Sequence, residues 1–312
     1  MENKEKNFIS SVVYLHNDEN NIDNFFTMLL SVLERNFENA EIICVNDSSS
    51  DDSINRIKQI VKDVPTYISV SVLNLSGFHG LETAMNSGVE LSIGDFVFEF
   101  DTIKVDYDES MIMNVYKKAL EGYDVVSASP NKKEKFFSKM FYKLYEGYSD
   151  SHKRLRTERF RILSRRVINR VDSMHKMVLY RKAVYADCGF NTFSLSYDVT
   201  DNKTYVMDKK AKKYKKGLAV DTLLLFTDIG YRFSVVMTAV MMFVSVFMLL
   251  YSIVIYLMAH PVEGWTTTIL FLSFAFFGLF GILTIIIKYL QLIINLMFKR
   301  KRYIYSGIEK IK

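Results

Sequence analysis

Cysteine, proline and tryptophan are scarce. Of 312 residues two are Cys, Cys44 and Cys188, three are Pro and one is Trp. Two Cys exclude a disulfide-stapled scaffold and fit a reducing compartment. The sequence holds no Cys-x-x-Cys pair and no spaced Cys/His set, which excludes a structural zinc site of the usual kind. Three Pro and 13 Gly exclude a collagen-like or low-complexity chain. A large excess of one charge is missing too, with 40 Lys+Arg against 35 Asp+Glu. That near balance, with 49% hydrophobic residues, excludes a disordered chain. Nothing in it points to nucleic acid as a partner. The length suits one or two domains with full cores.

Charge is unevenly placed. From Phe233 to Ala259 run 27 residues without Asp, Glu, Lys or Arg, and from Trp265 to Ile287 another 23. A helix needs about 20 apolar residues to cross the hydrocarbon core. The expectation is a two-helix transmembrane hairpin. Its flanks are basic, Lys209-Lys210-Ala211-Lys212-Lys213-Tyr214-Lys215-Lys216 before and Lys299-Arg300-Lys301-Arg302 after, while the loop between has no Lys or Arg. The positive-inside rule then puts both termini in the cytoplasm of a bacterial-type inner membrane. Trp265, Tyr251 and Tyr256 suit interfacial anchoring. The start, Met1-Glu2-Asn3-Lys4-Glu5-Lys6, is polar, and no secretory segment is expected after it.

Ahead of these runs, strand and helix patterns alternate. Residues 8–14, 40–45, 67–73 and 96–100 read as buried strands. Residues 20–35, 53–64 and 80–92 have helical spacing, as with Ile22, Phe25, Phe26, Leu29, Leu30 and Leu33. This order predicts a mostly parallel sheet with helices on both faces. Ligands in such sheets bind beyond the carboxyl ends of the strands. Those ends carry Asn17-Asp18-Glu19, Asn46-Asp47 and Asp101. Each cluster alone also reads as a capped turn; together they point to a site.

The ordered motifs resemble a known family. Ser11-Val12-Val13-Tyr14-Leu15-His16-Asn17-Asp18-Glu19, Glu41-Ile42-Ile43-Cys44-Val45-Asn46-Asp47-Ser48-Ser49-Ser50-Asp51, Leu75–Gly80, Ala84–Gly88, Glu121–Val126 and Phe160-Arg161-Ile162-Leu163-Ser164-Arg165-Arg166 recur in that order. So do Tyr289-Leu290 and Arg302-Tyr303-Ile304. Together they resemble a family-two glycosyltransferase of the polyprenyl-phosphate type, similar to dolichol-phosphate mannose synthase and undecaprenyl-phosphate glucosyltransferases. The resemblance implies a GT-A-like fold. It divides the chain into a cytoplasmic glycosyltransferase domain (1–208), a basic amphipathic interface segment (209–232), two transmembrane helices (233–298) and a basic cytoplasmic tail (299–312).

The implied reaction moves a sugar from a nucleoside diphosphate, UDP by default, to a polyprenyl phosphate, with inversion. Asp47, and Asn17 or Asp18, match positions that contact base and ribose, and Asp101 completes the nucleotide-sugar site. The leaving diphosphate calls for a divalent cation, Mg2+ or Mn2+, and Asp101 matches its ligand. The family's second carboxylate is replaced by Ile103, which cannot ligate a cation; Glu99, on the same strand face, Asp106, Asp108 and Glu109 are substitutes in type. Asp106, Asp108 and Glu109 equally suit the start of a helix at 110–120. Arg161 and Arg165 match acceptor-phosphate positions, and Lys213 lies in the basic stretch that stands for another.

Other departures are Tyr14 for Pro, Asn46 for the first Asp of a pair, Ser48 for Gly, and Arg159 for an acid that is a candidate base. No catalytic base is assigned. The stretch 132–166, with Lys132, Lys139, Lys143 and Arg156 beside Phe137, Met140, Phe141, Leu144 and Tyr145, reads as an interfacial amphipathic helix or a packed surface helix. Homo-oligomers and a flippase are the further partners implied. Two alternatives remain: a degenerate homologue serving as a subunit of a glycosylation complex, and a transferase acting on another lipid-linked acceptor.

Overall fold

Short runs of Val, Ile, Cys and Phe, bounded by polar turns, make the strands that carry everything else. The computed structural model describes residues 4–132, 136–148, 156–173, 180–187, 189–200, 209–226, 265–298 and 305–311, with scattered positions from 233 to 247. In chain order the elements are β1 (Ile9–Leu15), α1 (Glu19–Asn36), β2 (Ala40–Asn46), α2 (Ser53–Ile60), β3 (Ile68–Leu75), α3 (Leu81–Leu91), β4 (Phe96–Phe100), α4 (Ser110–Leu120) and β5 (Val125–Pro130). There follow α5 (Phe136–Tyr148), β6 (Phe160–Ser164), α6 (Arg165–Ser173), α7 (Arg181–Asp187), β7 (Thr192–Tyr197), α8 (Lys209–Phe226), α9 (Trp265–Phe298) and β8 (Tyr305–Lys310).

The strands form one sheet in the order β7-β5-β6-β4-β1-β2-β3-β8. β1 pairs in parallel with β2 and β4, and β2 with β3. β6 runs antiparallel between β4 and β5, and β8 lies antiparallel on β3. The sheet is mixed and mostly parallel, as expected. Alternation along β1 sends Val13 and Leu15 to the face covered by α1, and Val12 and Tyr14 to the face covered by α3. Phe25, Phe26, Leu29 and Leu33 of α1 are fully buried, each contributing about 1.5–3 kcal/mol of burial. On the other face Gly88 lets α3 settle on the sheet: a Cβ there would lie 2.5 Å from Val12 and Val45.

The chain divides into two units, Met1–Gly147 with Ser151–Ala219 and Lys301–Lys312, and Tyr148–Asp150 with Val220–Arg300. The sheet belongs to the first. Residues 305–310, expected as part of a basic tail, are instead the edge strand β8, tied by Glu309 to Lys58 at 2.7 Å. In the second unit, α9 carries Lys288, paired with Asp221 at 2.9 Å. Its side chains Leu272, Phe276, Leu279, Leu283, Ile286 and Leu290 are exposed along one stripe.

The expected transmembrane hairpin, and the multi-pass inner-membrane location built on it, need correction. Among the described residues, no helix is long and apolar enough to cross a membrane. An uncharged run is a count along the chain and does not by itself establish a span. Of the first run, only scattered positions in 233–247 are described, and residues 248–264 lie outside the described residues. The orientation argued from the basic flanks falls with the hairpin.

Candidate functional site

At the carboxyl end of β1 the chain turns through Asn17, whose φ of 55° is one that Asn tolerates better than most residues. Its Oδ1 accepts the Ser50 N–H at 2.8 Å, and its own N–H donates to Ser49 Oγ at 3.2 Å. Glu19 N–H donates to Asp51, and Asp52 N–H donates to Glu19, at 3.0 and 3.1 Å. The turns after β1 and β2 thus cap each other's helices. Asp18 is buried; its Oδ2 accepts the His16 N–H at 3.2 Å and its N–H donates to Ser53 Oγ at 3.2 Å. Asn17 is exposed on this rim.

Asp47 is fully buried. One oxygen accepts the His79 N–H at 2.7 Å; the other accepts the Gly80 N–H at 2.8 Å and the Tyr14 hydroxyl at 3.0 Å. Its carboxylate organises the loop that enters α3. Three departures lie beside it. Tyr14 supplies a donor to Asp47, and burial, then the Asp47 charge, push its phenol well above the ordinary tyrosine range. Asn46 donates to Asn74 Oδ1 at 2.8 Å and accepts the Ser49 N–H at 2.9 Å, which needs an amide rather than a carboxylate. Ser48 holds φ at 57°, the left-handed geometry that the family's glycine would adopt freely.

The densest electrostatics lie at the end of β4. Glu99 and Asp101 share a strand face, as their spacing predicts, and two arginines bridge them. Arg161, on β6, donates to Glu158 at 3.0 Å, Glu99 at 2.6 Å and Asp101 at 2.5 Å. Arg181, opening α7, donates to Glu82 at 2.8 Å and Asp101 at 2.5 Å, and pairs with Glu99 at 2.8 Å. Tyr185 donates to Glu99 at 2.9 Å. Both guanidinium groups are buried. Burial pushes the Asp101 carboxyl up, but Arg161, Arg181 and Lys182 more than offset it and hold it well below the usual carboxylate range.

Around this cluster, the departure at Arg159 is also balanced. Arg159 clasps Asp106 with two nitrogens, Nε at 2.9 Å, and Tyr197 donates to the same carboxylate at 2.8 Å. Asp106 is therefore an ion-pair partner and not a helix cap; Asp108 does cap α4, accepting the Ser110 N–H at 3.0 Å. Ile103 is fully buried in the main core.

The predicted acceptor cations separate. Arg161 sits beside Asp101 with its nitrogens committed to carboxylates. Arg165 donates to the Gly94 carbonyl at 2.8 Å, before β4 begins. Because β6 runs antiparallel to β4, this is the opposite edge of the sheet from Asp101. Lys213 is exposed on α8. Its neighbour Tyr214 lays its ring on Gly80 and edge-on to Phe78, with centroids 6.0 Å apart. On α5 the stripe packs: Tyr145 is buried, and Phe141 meets Tyr180 at 6.2 Å. Lys133, Lys135, Lys153 and Arg154 lie outside the described residues.

Sequence reasoning missed Glu82, Arg181 and Tyr185. No motif marks them; the one available signal was that two carboxylates on a buried strand face demand cations from elsewhere. The donor set does not fit a divalent ion. Both oxygens of Asp101 accept from guanidinium groups, Ile103 offers no ligand, and Asp106 is clasped by Arg159. Among the described residues, no group of three or more His, Cys, Asp or Glu side chains is placed to hold a metal.

Comparison with known proteins adds the lineage. An uncharacterized glycosyltransferase of Synechocystis, sll0501, is 29% identical over 196 residues, 61% of this chain and 60% of its own length. YkcC of Bacillus subtilis, also an uncharacterized glycosyltransferase, is 28% identical over 224 residues, 70% of this chain and 68% of its own. The chain thus spans only about 60–68% of the length of these relatives. The bactoprenol glucosyl transferase of Shigella phage SfX is 25% identical over 276 residues, 85% of this chain and 88% of its own. Among solved structures, the mannosyltransferase PcManGT of Pyrobaculum calidifontis, in complex with GDP-Man and Mn2+, covers 89% of this chain and 88% of its own at 13% identity, with a TM-score of 0.45. That distance says nothing about substrate or metal. A family model for glycosyl transferase family 2 matches residues 10–189, from β1 to the end of α7. With more than half its length so matched, and with the mixed, helix-flanked sheet of a GT-A-like fold, the chain belongs to glycosyl transferase family 2.

Proposed function

We propose that this chain transfers a sugar from a nucleoside diphosphate, by default UDP, to a polyprenyl phosphate, inverting the anomeric carbon. The observation that carries the reading is the match to a bactoprenol glucosyl transferase over 85% of this chain. In the reaction an acceptor phosphate oxygen forms the new bond to the anomeric carbon. The bond from that carbon to the diphosphate breaks, and its electron pair leaves on the diphosphate. The acceptor is ionised near neutral pH, so it needs little help from a base. The exposed rim residue Asn17 is the group best placed to meet a donor, with Asp18 and Asp47 shaping the turns beneath it. Lys213 is the candidate acceptor cation that stands free of the buried network; Arg161 would first have to release a carboxylate.

The test is transfer of radiolabelled sugar from UDP-sugars to undecaprenyl phosphate in detergent micelles. Labelled lipid, lost when Asn17 or Lys213 is replaced by Ala, supports the reading. No lipid product with any nucleotide donor overturns it. A second reading has its own observation: the commitment of Asp101 and Arg161 to each other suits a member that keeps the fold as a subunit of a glycosylation complex. Nucleotide binding without transfer would favour that one.

A further inference from the structure

The four carboxylates of Glu82, Glu99, Asp101 and Glu158 meet around two guanidinium groups. Each arginine touches three of them, and each shares Glu99 and Asp101 with the other. Lys182 adds a third cation, 3.9 Å from Glu158. Both oxygens of Asp101 and both of Glu99 are therefore taken up by Arg161 and Arg181, with Tyr185 adding a bond to Glu99. Metal ligation needs carboxylate lone pairs facing a common point and a surplus of negative charge. Here the surplus is spent on two guanidinium groups, each of which sets its three nitrogens against three different carboxylates. A divalent ion entering beside Asp101 would stand next to two buried positive charges, whose repulsion is poorly screened. The position of the family's second carboxylate is Ile103, buried in the apolar core.

We infer that Arg181, with Arg161, takes the place of a divalent cation at the end of β4, so that this chain binds neither Mg2+ nor Mn2+ at Asp101 and holds its donor site together with internal guanidinium charge. The arrangement is built from four separate elements, α3, β4, β6 and α7, so the cations are fixed by the fold itself. Arg181 is on this view a positioning residue: it sets Asp101 and Glu99 without touching substrate. The inference deepens the transferase reading, and only its nucleotide arm rests on that reading.

Mn2+ itself is the probe. In an electron paramagnetic resonance titration of the full chain, the free Mn2+ signal should follow that of buffer alone, and Asp101→Asn should change nothing. Loss of one equivalent of free Mn2+ to the chain, restored by Asp101→Asn, would overturn the inference. Thermal melts give the second arm. A site filled at roughly 100 times its Kd raises the midpoint by several degrees. Wild type should show no such rise with Mn2+ over Na+ at equal ionic strength, and Arg181→Gln should show one, because it uncovers Glu82, Glu99 and Asp101. Failure of Arg181→Gln, once folded, to respond would remove Arg181 from the cation's place; should that variant not fold, the wild-type titration still decides. In the third arm, UDP binding is followed by ligand-observed NMR in EDTA. Binding there supports the inference, and binding that appears only on adding Mg2+ overturns it. If UDP binds under neither condition, the donor reading falls while the Mn2+ arms still judge this one.

Discussion

Arg161 holds Asp101 from the neighbouring antiparallel strand, Nη2 to Oδ2 at 2.5 Å, while its other nitrogens reach Glu99 and Glu158. A buried ion pair of this kind adds little over an apolar core, but breaking it from one side leaves charge stranded. Arg161→Ala should therefore cost about 3–5 kcal/mol, read as a lower urea midpoint. Arg161→Lys keeps the charge and loses the fork, so its midpoint should fall between the two. Equal midpoints for Ala and Lys would show that charge is irrelevant here.

Ile103 stands where the family motif would have a second carboxylate, yet its side chain is fully buried among Phe and Val side chains. Restoring the motif by Ile103→Asp places a carboxylate in that core with no partner. We expect a loss of at least ~3 kcal/mol in calorimetric stability and no gain of Mn2+ binding. A stable Ile103→Asp chain that binds Mn2+ would show that the loop can turn the side chain outward.

Much of this was readable beforehand. Strict alternation of apolar runs with amphipathic helices located β1 to β4 and α1 to α3, because those strands are buried on both faces. The two-residue spacing of Glu99 and Asp101 gave their common face. Arg181 was not readable, since its partners are 80 and 99 residues away and nothing local demands an arginine. The separation of Arg165 from Arg161 was missed for a different reason. Proximity in sequence does not reveal that the strand between them runs antiparallel and carries one to each edge of the sheet. β8 was missed because six mixed residues have no strand period of their own and are ordered by the edge of β3.

Gly80 holds φ 87° and ψ 161°, a region that is nearly glycine's alone, and the Tyr214 ring covers the spot where a Cβ would project. Gly80→Ala should cost about 1–3 kcal/mol from the backbone and more from the ring. In a Tyr214→Ala background only the backbone part should remain. A double-mutant cycle of urea midpoints measures the difference; strict additivity would mean that ring and glycine do not meet.

Ser48 adopts φ 57° without the freedom of glycine. Ser48→Gly removes that strain but loosens the unfolded chain, so it should be neutral or raise stability by up to ~1 kcal/mol. Ser48→Val, β-branched, should lower it by more than that. The checks are thermal midpoints of both variants; a Val variant as stable as wild type would contradict the assigned backbone.

Acid should act through Asp101. Its folded value lies below the value of a free carboxyl, so the native state favours the ionised form. The stability this supplies is complete above the unfolded value of roughly 4 and is lost as pH falls through the folded value. Asp101→Asn removes that contribution and leaves two arginines short of a partner. The gap between wild-type and Asp101→Asn thermal midpoints should thus be constant from neutral pH to roughly pH 5, then close as acid protonates Asp101 in the unfolded chain ahead of the folded one. A gap that widens on acidification would mean that the carboxyl is held protonated in the folded chain, and the guanidinium pairing at the end of β4 would have to be abandoned.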